Sequence, residues 1–271
     1  MFHLGERSDP STRLLPLLPL TPNAVAISQG SLPRGENMDL KNKVALITGG
    51  SSGIGRAIAK SLATSGARVA ITGRDKNRLA EAARELGAHP IHADVAVEAD
   101  VERTYREVLQ QFGDLDILVN NAGIGVFKNL VDFDRKDFEA VFATNVTGAM
   151  LMAREAAKLF VKRHRGNIVN IASTAALRGA PNGTAYYASK FALRGMTECW
   201  RAELRRHNVR VFLVNPSEVL TSFSATAGLT QKENETKLRG EDIAHVVKAM
   251  LEMDDRGFAP EVSIFATNPQ D

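Results

Sequence analysis

Short apolar runs alternate with longer segments of helical periodicity from Lys43 onward. The runs are continuously apolar rather than alternating, which is typical of parallel strands covered on both faces. They predict the strands Val44–Thr48, Arg68–Thr72, Ile91–Ala93, Leu115–Asn120, Gly166–Ala172, Val209–Val214 and Val262–Phe265. The segments between them predict helices near residues 54–65, 76–86, 98–111, 135–162, 186–207 and 241–252.

This alternation of strands and helices predicts an α/β fold of the Rossmann type. We expect a doubly wound, parallel, seven-stranded sheet with helices on both faces. A ligand should then bind beyond the carboxyl ends of the strands, where the strand order reverses. Residues 38–271 show no internal repeat or linker, so we predict that they form a single domain.

The segment before Met38 has a different composition. It is rich in Pro, Ser, Leu and polar residues, and its one apolar stretch, Leu14–Leu20, is interrupted by Pro16 and Pro19. We therefore predict that residues 1–37 form a disordered N-terminal extension. Because an ordered pattern begins abruptly at Met38, we hypothesise that this residue is the natural start.

Composition narrows the class of protein further. With 44% hydrophobic and 24% charged residues, the 271-residue chain can build one large core. Its single cysteine, Cys199, excludes an internal disulfide, so we expect a reducing, cytoplasmic location and a packing role for Cys199 and Trp200. The net charge of +3 suits an anionic small ligand better than a nucleic acid. No apolar run approaches the ~20 residues that span a bilayer, and scattered histidines predict no metal site.

A glycine-rich turn follows the first predicted strand. The sequence Thr48–Ala57 reads TGGSSGIGRA and leads directly into a helix. Its glycines allow free amide groups and the helix N-terminus to face a pyrophosphate, although a plain tight connection is the alternative. The position after the first strand favours dinucleotide binding. The predicted contacts are Gly49, Ser51, Ser52, Gly53, Ile54 and Gly55.

The end of the second predicted strand bears on the choice of cofactor. A carboxylate usually stands there when NAD is preferred, whereas this chain has Gly73 followed by Arg74. Because a guanidinium suits a 2′-phosphate, we predict NADP rather than NAD, with Arg74 as a contact. Two alternatives stay open: Asp75 could reach the ribose after a small shift of the turn, and Arg74 could be a solvated surface residue.

Four further motifs follow in order. They are Asn120-Asn121-Ala122-Gly123, Asn145 in a helical stripe, Ser173 after the fifth strand, and Tyr186-Tyr187-Ala188-Ser189-Lys190. With the glycine-rich turn, they make the chain resemble the short-chain dehydrogenase/reductase family in its compact, single-domain form. The resemblance covers residues 40–265. It implies an oxidoreductase that transfers a hydride between a nicotinamide cofactor and a carbonyl compound or secondary alcohol.

The spacing of Tyr186 and Lys190 carries the candidate chemistry. Four residues apart, both side chains project from one face of the predicted helix, whereas four residues after Tyr187 stands Phe191. A phenol has a pKa of about 10. A nearby ammonium and an oxidised nicotinamide are expected to lower the pKa of Tyr186, and Ser173 can hydrogen-bond the substrate oxygen. The alternatives are a packing aromatic, a surface cation and a turn hydroxyl.

The family resemblance implies roles for further residues. Tyr186 would be the acid/base, and Lys190 would also hold the nicotinamide ribose. Asn145 would keep a water in a proton relay to Lys190; the alternative for Asn145 is a buried structural amide. This chain has Ser217 where relatives commonly have glycine, so we expect altered peptide geometry near the carboxamide. The implied cofactor contacts are Asp94 and Val95 at the adenine, Asn121, Ala122 and Gly123 at its ribose, and Pro216, Val219 and Thr221 at the nicotinamide.

Substrate choice is expected to depend on Thr174–Thr184 and Ser222–Arg239. The resemblance points first toward 3-oxoacyl-(acyl-carrier-protein) reductases, which act on acyl-thioester carbonyls. Oxidation of a sugar, steroid or other secondary alcohol is the alternative reaction, and an NADP-binding regulator without turnover is the alternative of another class. We expect a homodimer through the helices at 135–162 and 186–207, with a tetramer as the next possibility.

Overall fold

The computed structural model describes residues 39–221, 223 and 236–268. The predicted disorder of residues 1–37 and the hypothesis about Met38 lie outside the described residues. So do residues 222 and 224–235 of the segment expected to influence substrate choice.

Within this part of the chain, seven parallel strands form one sheet in the order β3-β2-β1-β4-β5-β6-β7. The predicted doubly wound α/β architecture is thereby confirmed, and the strand order reverses between β1 and β4. The strands are β1 Val44–Ile47, β2 Arg68–Gly73, β3 His89–His92, β4 Ile117–Asn120, β5 Gly166–Ile171, β6 Val209–Pro216 and β7 Glu261–Ile264. The helices are α1 Gly53–Thr64, α2 Lys76–Leu86, α3 Glu98–Phe112, α4 Arg135–Phe142, α5 Ala149–Arg163, α6 Thr184–Leu204 and α7 Gly240–Leu251.

Strand β1 is covered on both faces, as its apolar sequence predicts. Ala45 and Ile47 pack into a core with α1 and α7. Val44 and Leu46 point to the opposite face and join a second core with α3 and α5. Alternate residues of one strand therefore hold the two helical layers against the sheet.

Strand β3 departs from this apolar pattern because it lies at the edge of the sheet. It covers His89–His92 rather than the predicted Ile91–Ala93, and only Ile91 is buried within it. An edge strand tolerates Pro90, which has no N–H to donate to a neighbour.

The helix predicted over residues 135–162 is present, but it is not α-helical throughout. A π-helical turn, Ala143–Gly148, separates α4 from α5. Within it, the Asn145 side chain holds the backbone of Ile124, accepting from its N–H and donating to its carbonyl, both at 2.9 Å. The wider turn thus carries an amide that anchors the loop after β4, and such turns are frequent at functional sites.

Two predictions about the remaining surface have different outcomes. Trp200 is half-buried and packs against two apolar clusters, so its predicted packing role is confirmed. Cys199 is exposed on α6, so its predicted packing role is wrong. Among the described residues, no group of three His, Cys, Asp or Glu side chains is placed to hold a metal ion. The same residues contain no helix with the length and apolarity needed to cross a membrane.

Candidate active site

A cleft of about 640 Å³ opens at the carboxyl ends of the strands, beside the reversal between β1 and β4. Of the sequence-predicted site residues, it is lined by Gly49, Ser51, Ser52, Gly53, Ile54, Arg74, Asp94, Val95, Asn121, Ala122, Gly123, Ser173, Tyr186, Lys190, Pro216, Val219 and Thr221. Gly55 and Asn145 are not among the lining residues. The cleft is also lined by Gly73, Asp75 and Ser217, which the sequence analysis discussed without naming them as contacts. The lining residues that received no prediction are Thr72, Arg78, Ala93, Ile124, Gly125, Thr144, Ile171, Ala172 and Phe223.

The N-terminus of α1 faces this cleft with its backbone donors available. Ser52 is the N-cap residue, its side chain makes no capping hydrogen bond, and the first turn of α1 contains no acidic residue. Gly49, in the turn before it, has φ +63°, a conformation that favours glycine. The first N–H groups of a helix and its dipole attract anions, so this end of the cleft fits a pyrophosphate.

Asn121 braces the glycine-rich turn from the end of β4. Its Nδ2 donates to the carbonyls of Thr48 (2.9 Å) and Gly49 (3.3 Å). The Thr48 hydroxyl accepts from the backbone N–H groups of Asn121 and Ala122, each at 2.9 Å. At Gly55, an added Cβ would lie 2.3 Å from Asn121 Nδ2, so this glycine provides space behind the turn rather than a wall of the cleft.

The carboxylate of Asp75 is engaged in capping α2. It accepts from the N–H groups of Asn77 and Arg78 at 3.1 Å and pairs with the Arg78 guanidinium at 3.3 Å. These interactions, led by the backbone bond from Arg78, lower the pKa of Asp75. Arg74 lies beside it with a largely exposed side chain, 3.9 Å from Asp94. An exposed cation, in a long ion pair with Asp94, therefore lies at this end of the cleft, while the Asp75 carboxylate is engaged by Asn77 and Arg78.

Ser173, Tyr186 and Lys190 converge at the other end of the cleft. Ser173 follows β5, and its Oγ accepts from the N–H of Ala175 at 3.1 Å. Lys190 is buried, and its Nζ donates to the carbonyl of Ile171 at 3.0 Å. The same ammonium lies 5.6 Å from the centroid of the Tyr186 ring. The predicted trio is therefore brought together by the end of β5 and the first turns of α6.

Burial controls the acidity of this trio. It raises the pKa of Tyr186 to about 12, although a hydrogen bond from Ser173 opposes the rise. Burial also lowers the pKa of Lys190 from 10.5 to about 8. The expected fall in the pKa of Tyr186 invoked an oxidised nicotinamide as well as the ammonium. With the protein groups alone, desolvation of the hydroxyl dominates and raises this pKa.

Asn145 lies behind the trio as a buried structural amide. Besides its two bonds to Ile124, its Nδ2 donates to the Ser189 hydroxyl at 3.0 Å. Ser189 in turn donates to the carbonyl of Tyr186 at 2.7 Å. This chain of bonds ties the first turn of α6 to the loop after β4. Ser189 stands inside the Tyr-to-Lys motif, but sequence reasoning gave it no role because its partner is 44 residues away.

Ser217 fits its loop without the conformation that requires glycine. It is not among the residues with positive φ, and its N–H donates to the carbonyl of Ile264 at 2.8 Å. Beyond it, Val219 pairs with Leu238 in an isolated bridge, and Glu218 pairs with Lys237 at 2.7 Å. These contacts describe the loop itself, and the effect of Ser217 on the carboxamide contact stays a prediction.

Comparison with known proteins identifies the family. The chain matches the family model described as short chain dehydrogenase over residues 43–232, and it belongs to this family of oxidoreductases. It is 37% identical over 207 residues to (+)-borneol dehydrogenase 2 of Salvia officinalis, covering 74% of this chain and 73% of the relative. It is also 37% identical over 185 residues to a 3-oxoacyl-[acyl-carrier-protein] reductase of Bos taurus, covering 68% and 78%.

Solved structures agree with this assignment. An alcohol dehydrogenase from the archaeon Thermococcus sibiricus, complexed with 5-hydroxy-NADP, superposes with a TM-score of 0.77 at 29% identity and covers 85% of this chain and 100% of its own. A 3-ketoacyl-(acyl-carrier-protein) reductase from Brucella melitensis, complexed with NADH, gives a TM-score of 0.78 at 32% identity with coverages of 84% and 98%. One of these neighbours is complexed with an NADP derivative and the other with NADH. Both structures therefore support a nicotinamide cofactor for this chain.

Proposed function

We propose that the protein is an NADP-dependent oxidoreductase that interconverts a carbonyl compound and a secondary alcohol. The observation that carries the proposal is the convergence of Ser173, Tyr186 and Lys190 in the cleft that also receives the N-terminus of α1. An acid/base pair has no purpose in a regulator that only binds NADP, and membership of an oxidoreductase family disfavours that alternative as well.

The residues present fit a dinucleotide along the length of the cleft. The turn at Gly49–Gly53 and the first N–H groups of α1 would hold the pyrophosphate, Asp94 and Val95 would border the adenine, and Val219 and Thr221 would border the nicotinamide. When bound, the nicotinamide supplies or accepts the hydride. The buried Lys190 ammonium, beside Gly123, would hold the adjoining ribose.

Tyr186 is in the protonated form that a proton donor needs. Its phenol, with a pKa raised to about 12, can pass the proton to a carbonyl oxygen as negative charge develops there, provided that the Lys190 ammonium and the bound cofactor offset the cost of forming a buried phenolate. The Ser173 hydroxyl can hydrogen-bond the same oxygen, held in place by its bond from Ala175. We propose that Asn145 acts by positioning α6 through Ser189 rather than by direct contact with substrate.

Two neighbouring tyrosines provide a matched test of the acid/base assignment. Tyr186→Phe should lower kcat by about a hundredfold or more, since general acid–base catalysis contributes roughly 10²–10⁴-fold. Tyr187→Phe removes a phenol from the next residue, whose ring lies edge-on to Tyr186 at 6.1 Å, and should retain turnover. NADPH binding, measured by fluorescence titration, should stay near the wild-type value in both. Wild-type turnover by the Tyr186 variant would refute the assignment.

The preference for NADP over NAD can be tested at Arg74. Its exposed guanidinium and the engagement of Asp75 with Arg78 support a site for the 2′-phosphate. Arg74→Ala should raise the KM for NADPH by about tenfold to a hundredfold, the magnitude of a lost charge-assisted bond, and leave the KM for NADH nearly unchanged. Arg84→Ala, exposed on the same helix as Arg78, is the control. Equal use of both cofactors by the wild type would contradict the preference.

The substrate has two candidate classes. A 3-oxoacyl thioester is supported by the similarity to the bovine reductase. The direct test is whether an acetoacetyl thioester causes NADPH to be oxidised, measured as a loss of absorbance at the reduced-nicotinamide band. A secondary alcohol with an apolar body is favoured by Phe127 and Phe223, whose ring centroids each lie 5.4 Å from that of Tyr186. Turnover of neither class, with NADPH binding intact, would contradict an oxidoreductase role.

We further propose a cytoplasmic homodimer that pairs through the helices within residues 135–162 and 186–207. The exposed Phe138 of α4 and Phe191 of α6 support pairing at these helices. Sedimentation at micromolar concentration should give twice the chain mass. A monomer would contradict this proposal, and a tetramer would extend it.

A further inference from the structure

Two phenylalanines from separate loops flank the ring of Tyr186. Phe127 comes from the loop after β4, and Phe223 comes from the segment after β6. Each ring centroid lies 5.4 Å from that of Tyr186, and the rings are tilted by 46° and 47°. The phenol that carries the proposed chemistry is therefore enclosed on two sides by aromatic side chains.

Gly125 lies between these two rings. A Cβ at this position would be 2.8 Å from Cε2 of Phe127 and 2.9 Å from Cζ of Phe223. Both rings therefore pack directly against the backbone of Gly125, where a side chain would not fit. Gly125, Tyr186 and Phe223 all line the cleft. The part of the cleft beside the phenol is consequently an aromatic wall, in which Gly125 and Phe223 line the cleft and Phe127 packs against Tyr186 and Gly125 without being a lining residue.

This aromatic wall contrasts with the opposite end of the cleft. There the lining residues include Ser51, Ser52, Arg74 and Asp94, which suit phosphates and hydroxyl groups. Polyhydroxylated substrates placed against phenyl rings would lose hydrogen bonds to water without replacement. A rigid apolar ring would instead pack against the tilted aromatic faces, and it would lose less conformational freedom than a flexible chain does.

We propose that the aromatic wall selects carbonyl compounds and secondary alcohols whose reacting carbon is in, or attached to, an apolar alicyclic or aromatic ring. This inference rests on the proposed oxidoreductase function and assigns its substrate class. Phe127 and Phe223 are the specificity determinants, and Gly125 sets how closely they approach Tyr186. Sugars and open-chain 3-oxoacyl thioesters are the disfavoured substrates.

A pair of ketones with equal carbon number tests the inference. The probes are 1-cyclohexylethanone and 2-octanone, both assayed with NADPH at the reduced-nicotinamide band, with dihydroxyacetone and an acetoacetyl thioester as further substrates. The wild type should prefer the cyclohexyl ketone over 2-octanone by about tenfold or more in kcat/KM, in the range that one apolar contact provides. Phe127→Ala and Phe223→Ala should each reduce this ratio toward one, mainly through the cyclohexyl substrate.

Controls separate loss of selectivity from loss of structure. Phe265→Ala removes a phenylalanine that is 59% exposed just after β7, and it should keep the wild-type ratio. Each wall variant should bind NADPH as the wild type does and should still turn over 2-octanone. Gly125→Ala should impair both ketones, because its methyl group displaces both rings.

The outcomes for the two proposals are distinct. Absence of turnover with every probe, or wild-type turnover by Tyr186→Phe, would overturn the oxidoreductase assignment and this inference with it. Turnover that depends on Tyr186 but favours 2-octanone, dihydroxyacetone or the thioester would overturn the inference alone. Retention of the cyclohexyl preference in both phenylalanine variants would do the same.

Discussion

Replacing Lys190 by Met should make the protein more stable at neutral pH while removing its activity. The ammonium is buried, with its Nζ on the Ile171 carbonyl, and burial lowers its pKa from 10.5 to about 8. At about 1.4 kcal/mol per pKa unit, holding this charge in the folded state costs about 3 kcal/mol below pH 8. Methionine has a similar length and no charge, so it relieves this cost.

The replacement also removes a hydrogen bond. Leaving the Ile171 carbonyl without its donor should cost about 1–2 kcal/mol, so the net gain at pH 7 is about 1–2 kcal/mol. The folded-state pKa is the lower one, so between about pH 8 and pH 10.5 the unfolded chain binds more protons than the folded chain. Wild-type stability therefore rises with pH across that window relative to the variant, and the advantage of Lys190→Met should shrink by about 2 kcal/mol by roughly pH 9.5.

Urea unfolding followed by Trp200 fluorescence at about pH 7 and about pH 9.5 measures both quantities, because this chain has one tryptophan. Lys60→Met is the control, since Lys60 is exposed on α1 and its charge remains in water. The reasoning fails if Lys190→Met is clearly less stable than the wild type at neutral pH. It also fails if the difference in unfolding free energy between the two proteins is the same at both pH values.

The remaining predictions concern the residues that support the glycine-rich turn and the stability of α2 and α6. Gly55→Ala should raise the KM for NADPH at least tenfold, because the new Cβ would lie 2.3 Å from Asn121 Nδ2 and 2.5 Å from the carbonyl of Gly49. Gly195→Ala, in α6 with nothing within 4 Å of the new Cβ, should instead raise the unfolding free energy by roughly 1 kcal/mol in the same urea assay. Asn121→Ala should increase the KM for NADPH more than it changes kcat, and an unchanged KM would contradict its bracing role. Asp75→Ala should lower the midpoint of urea unfolding through the lost cap of α2.

Most of the architecture could be predicted from the sequence because it depends on local patterns. The strands β1, β5 and β6 are buried along their whole length, so their apolar runs indicated their existence and type. The edge strand β3 has only one buried residue, Ile91, and its bounds were misplaced by up to two residues. A pattern based on burial locates a strand poorly where there is little burial.

The interrupted helix at residues 135–162 shows a different limit. The apolar period continues through Val141 and Met152, which are both buried, so it gives no sign of the π-helical turn between them. The turn is associated with two bonds from Asn145 to the backbone of Ile124, 21 residues earlier in the chain. Backbone groups have no sequence signature, so a side chain that binds them at long range appears in sequence only as an isolated polar residue.

The pKa of Tyr186 could not be predicted from its four-residue spacing to Lys190. Four-residue spacing places Tyr186 and Lys190 on one face of α6, and the structure agrees, with the ammonium 5.6 Å from the ring. Spacing does not determine how much water reaches either group, and desolvation moves the two pKa values in opposite directions, toward neutral forms. With the protein groups alone, the phenol of Tyr186 is held protonated at neutral pH. Its raised pKa also makes it a weaker acid, so its proton transfer depends on the charge that a bound cofactor and the reacting oxygen bring to the site, and residue spacing does not describe that charge.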